Sequence, residues 1–323
     1  MTRRQILIDT DTASDDAVAL IMALRDTEVN VAAITVVAGN VAVDQATRNA
    51  LYTAELCGSD VPIFRGAEKP LARRLEIADW FHGRDGLGDH GYAPQRRTKP
   101  ETGDAVSAIL KTIAACPGIE IITLGPLTNL ALAIERRPEL ITNVSRCVVM
   151  GGAPCCEGNV TPAAEFNVWV DPEAARIVFQ SGLPIEMVGW QLCRNEAVFN
   201  TEDIAKLKRF RSALADFAVS ANSVAIEANK IQTGQVGIAL PDPVAMGILL
   251  RPELCLAASP HYIEIETRSE LTRGMTVVDR LNVAEDPRNR NTWADALEKN
   301  VRATVCWTLN VEAWKAAVME ALR

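Results

Sequence analysis

The chain returns repeatedly to short, continuously apolar runs: "QILID", "VNVAAITVV", "IEIITLG", "RCVVMGG" and "LPIEMVGW". A strand with one face in water alternates apolar and polar side chains. These runs are too continuous for that, so both of their faces must be covered. Strands buried on both faces are the parallel strands of α/β proteins, and each pair needs a crossover, usually a helix. The intervening segments supply helices over residues 15–24, 44–56, 105–115, 127–136, 172–180 and 204–228. "HYIEIET" and "GMTVVD" read as further strands, and residues 311–322 as a closing helix. The expected fold is α/β, a single domain over residues 1–323 with a central, mostly parallel β-sheet flanked by helices. No internal repeat, low-complexity tract or Gly/Ser linker divides it.

Composition removes several function classes. A formal charge of −8 offers no basic field for phosphate backbones, and "RRPEL" and "LKRFR" are the size of solvated helix faces, so nucleic acid is not an expected partner. The N-terminus reaches Asp9 after only three apolar residues, too few for a signal peptide. No run approaches the ~18 apolar residues of a membrane span. Eight cysteines (57, 116, 147, 155, 156, 193, 255, 306) lie scattered without C-x-x-C spacing. They are expected to be reduced thiols acting as small core residues in a cytoplasmic protein.

Open parallel sheets bind ligands beyond the carboxyl ends of their strands. The segments just after these runs are acidic and amide-rich. Asp9, Asp11, Asp15 and Asp16 follow "QILI", and Gly39-Asn40 follows "AAITVV". "LGPLTN" follows "IIT", a loop with Asn159, Glu165 and Asn167 follows "CVVM", and "GWQLC" follows "IEMV". Four carboxylates within positions 9–16 repel one another unless protonated, solvated or bound to a cation. Helix capping accounts for Asp15 or Asp16, since the dipole there favours negative charge. It leaves Asp9 and Asp11 without a partner, whereas Ca2+ takes roughly six to eight oxygen ligands.

Asp242 in "ALPDPVAMG" precedes a proline, which places it at a helix N-cap with its carboxylate exposed. The loop "GNVTPAAEFN" gathers two Asn, a Glu and a Thr, the donors and acceptors that vicinal hydroxyls need; such residues also cap their own turns. Nucleophile motifs are weak, with no G-x-S-x-G and no P-loop. Of three histidines, His82 and His90 lie in a glycine-rich loop, and His261 opens an expected strand as a structural residue.

Taken in order, "DTDTASDDAVAL", "VVAGNV", "HGRDGLGD", "TLGPLTNLALA", "MGGAPCCEGNVTPAAEFNVWVDPEAA" and "PDPVA" match one pattern. The chain resembles, nearly end to end, the nucleoside hydrolases, the inosine/uridine-preferring N-ribohydrolases. The resemblance implies a Rossmann-like core and Ca2+-dependent hydrolysis of ribonucleosides to ribose and free base. It implies a Ca2+ held by Asp11, Asp16, the backbone carbonyl of Thr128 and Asp242, with ribose hydroxyls and a water completing the shell. By the same matching Asp15, Asn40, Asn159, Glu165 and Asn167 grip the ribose, Met150 packs beneath it, and Asp9 supports the turn. Asp11 is then the general base for a metal-activated water, attacking as an oxocarbenium-like sugar develops among the carboxylates. Family members are commonly homotetramers or homodimers and belong to purine and pyrimidine salvage.

Three positions depart from that pattern. Pro241 stands where the family has a His, removing a donor for the departing base, and general acid help is worth ~10²–10⁴-fold. By its match to a base-side histidine of the inosine/uridine type His82 takes the catalytic role; the alternative is Trp80 stacking on the base, as tryptophan does in the purine-specific branch. Cys193 replaces a common Thr and reads as a small buried residue; Thr12-Ala13 replaces Pro-Gly with every carboxylate retained. Two other functions compete. Without leaving-group activation the same pocket is a ribonucleoside- or ribose-binding site with little turnover. A strand followed by D-x-D also begins haloacid-dehalogenase-type phosphatases, with Asp9 as nucleophile and Asp11 as acid, though that pattern gives Asp15, Asp16 and the Asn-Glu-Asn loop no role.

Overall fold

The structure is a computed structural model that describes residues 3–323. Its strands are β1 (Arg4–Thr10), β2 (Val29–Val36), β3 (Ile63–Arg65), β4 (Ile119–Thr123), β5 (Val144–Met150), β6 (Ile185–Val188), β7 (Cys255–His261), β8 (Ile263–Ile265), β9 (Thr276–Val278) and β10 (Ala303–Leu309). Eight of them form one sheet in the order β3-β2-β1-β4-β5-β6-β10-β7, and β8 and β9 pair separately. Every pairing in the large sheet is parallel except β10 with β7.

The burial of β1 shows why its run is continuous. Ile6 and Ile8 join one core layer and Leu7 the other, and all three are fully buried. Helices α1 (Ser14–Arg25) and α2 (Val43–Leu56) cover the first layer, followed by the short α3 (Asp79–His82) near the strand ends. Helices α4 (Ala105–Ala115), α5 (Thr128–Arg136), α6 (Phe166–Val170) and α7 (Pro172–Phe179) come next, with α4, α5 and α7 covering the second layer. The chain continues through α8 (Thr201–Arg209), α9 (Ala213–Ala221), α10 (Ser223–Thr233), α11 (Pro241–Leu250), α12 (Ala294–Lys299) and α13 (Val311–Ala321). No helix among the described residues is long and apolar enough to cross a membrane.

From β1 the chain builds outward to β2 and β3, then returns to the opposite side of β1 for β4, β5 and β6. The reversal between β1 and β4 is the place where an open parallel sheet opens a crevice at its carboxyl edge.

Several expectations are corrected. The single helix over 204–228 is three helices: Arg211 takes a positive φ of 52°, Ser212 caps α9 by accepting from Ala215 N at 3.0 Å, and Asn222 separates α9 from α10. "HYIEIET" is divided, because His261 ends β7 in the large sheet while Ile263–Ile265 forms β8 in the small one. Strands β3 and β10 and most of β7 lie outside the expected runs: β3 spans three residues, edge strand β7 is largely exposed, and Thr304 and Thr308 interrupt β10. Of the cysteines, Cys147, Cys193 and Cys306 are buried as expected, but Cys155 is exposed.

Helix α11 is fixed along its length. At its start, the fully buried Trp314 donates from Nε1 to the Pro243 carbonyl at 2.8 Å and meets Phe199 edge-on at 5.5 Å. At its end, Arg4 of β1 and Arg146 of β5 donate to the carbonyls of Ile248, Leu249 and Leu250 at 3.0–3.1 Å. Those carbonyls have no partner within the helix, and the dipole favours cations there. Trp314→Ala should therefore cost about 3–5 kcal/mol of unfolding free energy in urea titrations; a cost below ~1 kcal/mol would show that this packing holds nothing.

Candidate active site

The turn after β1 distributes its carboxylates by hydrogen bonding. Asp9 is walled in, accepting from Thr35 Oγ1 at 2.5 Å and Asn129 Nδ2 at 2.8 Å, and burial raises its pKa to about 7. Asp16 accepts from Thr10 Oγ1 at 2.5 Å and from the Ala13 amide at 2.9 Å, so it ties the start of α1 as a capping residue does. Asp11 accepts the Asn40 amide at 2.6 Å on Oδ2, and its buried Oδ1 has no partner among the described residues. Asp15 Oδ1 is likewise buried and unpartnered, and burial raises this carboxyl to about 6.

The carboxylate of Asp242 comes from the first turn of α11. It is not the exposed cap that the sequence suggests: Leu240 is the cap, Pro241 takes the first helical position, and Asp242 is only 2 % exposed because α11 packs against α1. Carboxylate oxygens of Asp15, Asp16 and Asp242 lie within 4.8 Å of one another. Burial, and then repulsion from Asp16, Asp15 and Asp11, raises the Asp242 pKa well above the carboxylate range. Asp11 rises likewise through burial and Asp16. Buried like charges with unpaired oxygens are unfavourable unless a proton or a cation joins them, and an all-oxygen donor set suits a hard divalent ion.

Space for Asp11 comes from glycines. A Cβ on Gly125 would lie 2.7 Å from Asp11 Oδ1, and one on Gly39 would collide with Oδ2. The ends of β2 and β4 thus approach this carboxylate more closely than any other residue would allow.

Beside the acids opens a cleft of about 660 Å³, lined by Asp15, Asn40, Asn159, Glu165, Asn167 and Asp242 among others. Glu165 caps α6, accepting from the Asn167 amide at 2.9 Å and the Gly152 amide at 2.7 Å, and burial lifts its pKa to about 7. Asn167 donates to the Leu124 carbonyl at 2.8 Å and touches Met150 Sδ at 3.3 Å. Asn159 accepts the Phe166 amide at 2.9 Å, so Asn159, Glu165 and Asn167 are all fixed by backbone groups.

His82 ends α3 rather than lying in the glycine-rich loop. Its Nδ1 meets Ser14 Oγ at 2.8 Å and lies 3.8 Å from Asp15, and burial holds its pKa down at about 4. Trp80 and Pro241 line the same cleft, with Trp80 half-exposed at its edge. Thr128 opens α5 and donates from Oγ1 to Asp171 at 2.6 Å; it does not line the cleft. Nor do Asp9, Asp11 and Asp16, all fully buried; Asp9 has its Oδ1 taken by both Thr35 and Asn129, which leaves the phosphatase reading without a free nucleophile. The sequence pattern did not single out Asn129, Trp190 or Gln232. The first two stand in "LGPLTN" and "GWQLC" after β4 and β6, where strand ends mark them, whereas Gln232 on α10 carries no such signal.

Known proteins are similar to this chain in sequence and fold. The model of the family described as inosine-uridine preferring nucleoside hydrolase matches residues 6–316. The chain belongs to this family. It is 39 % identical over 293 residues to the pyrimidine-specific ribonucleoside hydrolase RihA of Salmonella typhimurium, covering 90 % of this chain and 93 % of that one. The structure of the plant nucleoside hydrolase PpNRh1 superposes with a TM-score of 0.91 at 31 % identity, covering 99 % of both chains. The purine-preferring ribonucleoside hydrolase from Gardnerella vaginalis gives 0.87 at 26 % identity, covering 99 % of this chain and 98 % of that one. The chain is thus a nucleoside hydrolase, an N-ribohydrolase acting on ribonucleosides.

In this nucleoside hydrolase a side chain at Gly39 would press on both Asp11 and Pro126. Gly39→Ala should lower ribonucleoside hydrolysis by about 100-fold or more, because a displacement of ~1 Å at a reacting group costs that much. Thermal unfolding checks that the variant still folds; a folded variant within tenfold of the parent would show that Asp11 tolerates the displacement.

Proposed function

We propose that the chain is a Ca2+-dependent ribonucleoside hydrolase in which Asp11 is the general base for an attacking water. One observation carries this reading: buried acids with unpaired oxygens converge at the sheet's switch point beside an Asn-Glu-Asn loop. Asp11, Asp16, Asp242 and the Thr128 carbonyl would hold the ion. Bound there, it would make a water more acidic and neutralise the surrounding carboxylates.

The rest is the work of the chain's own groups. Asp15, Asn40, Asn159, Glu165 and Asn167 hold the ribose hydroxyls, with Met150 beneath the ring. Asp11 Oδ1, free of hydrogen bonds, takes the proton of the water that adds to the anomeric carbon. As the C–N bond stretches, the sugar gains oxocarbenium character, and the carboxylates of the cleft stabilise the positive charge. His82 stands on the base side as a neutral imidazole, offering a hydrogen bond rather than a full proton. A cytoplasmic homodimer or homotetramer in nucleoside salvage is the setting this proposal carries.

Pro241 keeps a second reading in play, a ribonucleoside-binding protein with little turnover. Reducing-sugar assays on inosine, uridine, adenosine, cytidine and p-nitrophenyl riboside separate the two; absence of ribose from every one of them sinks the hydrolase. Asp11→Ala should reduce turnover of any cleaved substrate by ~10²–10⁴-fold and weaken Ca2+ binding in calorimetry; near-normal rates would place the base elsewhere. His82→Ala should slow natural nucleosides about tenfold more than p-nitrophenyl riboside, whose leaving group needs no acid, and equal losses would remove it from the base side.

A further inference from the structure

The cleft must release a base as well as hold a sugar, and its base end carries little that can deliver a proton. Beyond the residues that grip ribose, its walls include Trp80, Phe81, Phe166, Trp190, Ala239 and Pro241. Proline offers no side-chain proton. Glu165 accepts backbone amides on both oxygens. His82, the one imidazole, has Nδ1 engaged by Ser14 Oγ at 2.8 Å and lies 3.8 Å from Asp15. The remaining polar groups there, Gln232, Asn229 and the two indoles, are donors but not acids.

The electrostatics of the cleft point the same way. Asp15 and Glu165 line it in addition to Asp242, which would hold the ion, and among the described residues no lysine or arginine does. Aromatic rings attract organic cations, more strongly where water is excluded. A cleft lined by carboxylates and aromatic rings, whose base-side groups can donate hydrogen bonds but do not give up a proton, suits a substrate that arrives positively charged and departs neutral.

We propose that the preferred substrates are N-ribosyl pyridinium cations, of which nicotinamide riboside is the simplest probe; this rests on the hydrolase reading above. In the reaction water oxygen bonds to C1′, and the electron pair of the breaking C1′–N bond returns to the ring nitrogen, cancelling its charge. The water's proton passes to Asp11 and then to solvent. Ribose, a neutral pyridine and one proton result, and nothing is oxidised or reduced. A neutral nucleoside such as uridine differs at one point: its base leaves with an electron pair that must be protonated, so no net proton is released.

The test compares kcat/KM for nicotinamide riboside, uridine, inosine, cytidine and adenosine, with p-nitrophenyl riboside as a control and a pH indicator reading proton release. Nicotinamide riboside should exceed every neutral nucleoside by more than tenfold and release one proton per ribose formed. Any neutral nucleoside within tenfold overturns the proposal. Cleavage of p-nitrophenyl riboside without cleavage of nicotinamide riboside overturns the substrate class and leaves the hydrolase standing; cleavage of neither, with no ribose from the nucleosides, overturns both. In Pro241→His the ratio of nicotinamide riboside to uridine should fall by at least tenfold, since a donor at 241 helps only the base that needs a proton. An unchanged ratio in the folded variant overturns the role given to this position.

Discussion

The site rests on repulsion that the fold holds in place. Asp11, Asp15, Asp16 and Asp242 are buried together, and each sits at a raised pKa, through burial in all four and also through neighbouring carboxylates for Asp11, Asp16 and Asp242. Left alone, such a group would spread apart or take up protons. It is kept together by attachments on every side. Thr10 and the Ala13 amide hold Asp16, the Asn40 amide holds Asp11, and Thr35 and Asn129 keep Asp9 out of the cleft. These bonds leave unpaired oxygens on Asp9, Asp11 and Asp15, and those of Asp11 and Asp15 are the ones a cation would meet.

Asp242 is the member that arrives from elsewhere, about 230 residues along the chain from Asp11 by simple subtraction of their positions. Its placement therefore depends on helix α11 as a rigid body. Trp314 sets the start of that helix and Arg4 and Arg146 collect its last carbonyls, while Glu120 balances both arginines and Glu186 balances Arg146. The arginines come from β1 and β5, so one sheet carries acids at its carboxyl edge and clamps the acid-bearing helix from its other end.

Much of this was legible in the sequence because it depends on period and position. Continuous runs required strands buried on both faces, and the residues after each run marked the rim of the site. The features that were missed depend on burial or on conformations that residue identity alone does not dictate. The helix over 204–228 breaks at Arg211, a residue with no turn signature, and β10 mixes buried and partly exposed positions along an ordinary-looking segment. Asp242 read as an exposed cap because nothing local to "LPDPV" says that α1 will cover it. Asn129 was overlooked for the opposite reason: an amide at the start of a helix looks like local capping, and only the fold brings it to Asp9.

The two ends of the cleft are built differently, and this bears on Pro241. The ribose end stands on strand ends and helix starts, where glycines at 39 and 125 and backbone amides leave no freedom. The base end is supplied by the short α3, by α10 and by loops, all peripheral to the sheet. Position 241 lies at the junction, as the first residue of α11. Proline is well suited there: its missing N–H is one the helix would not have used, and its fixed φ is already helical. A proline at 241 therefore changes the chemistry offered to the base while leaving Asp242, one residue on, held by the same helix. Leaving-group chemistry at this position is free to vary because the carboxylates do not depend on it.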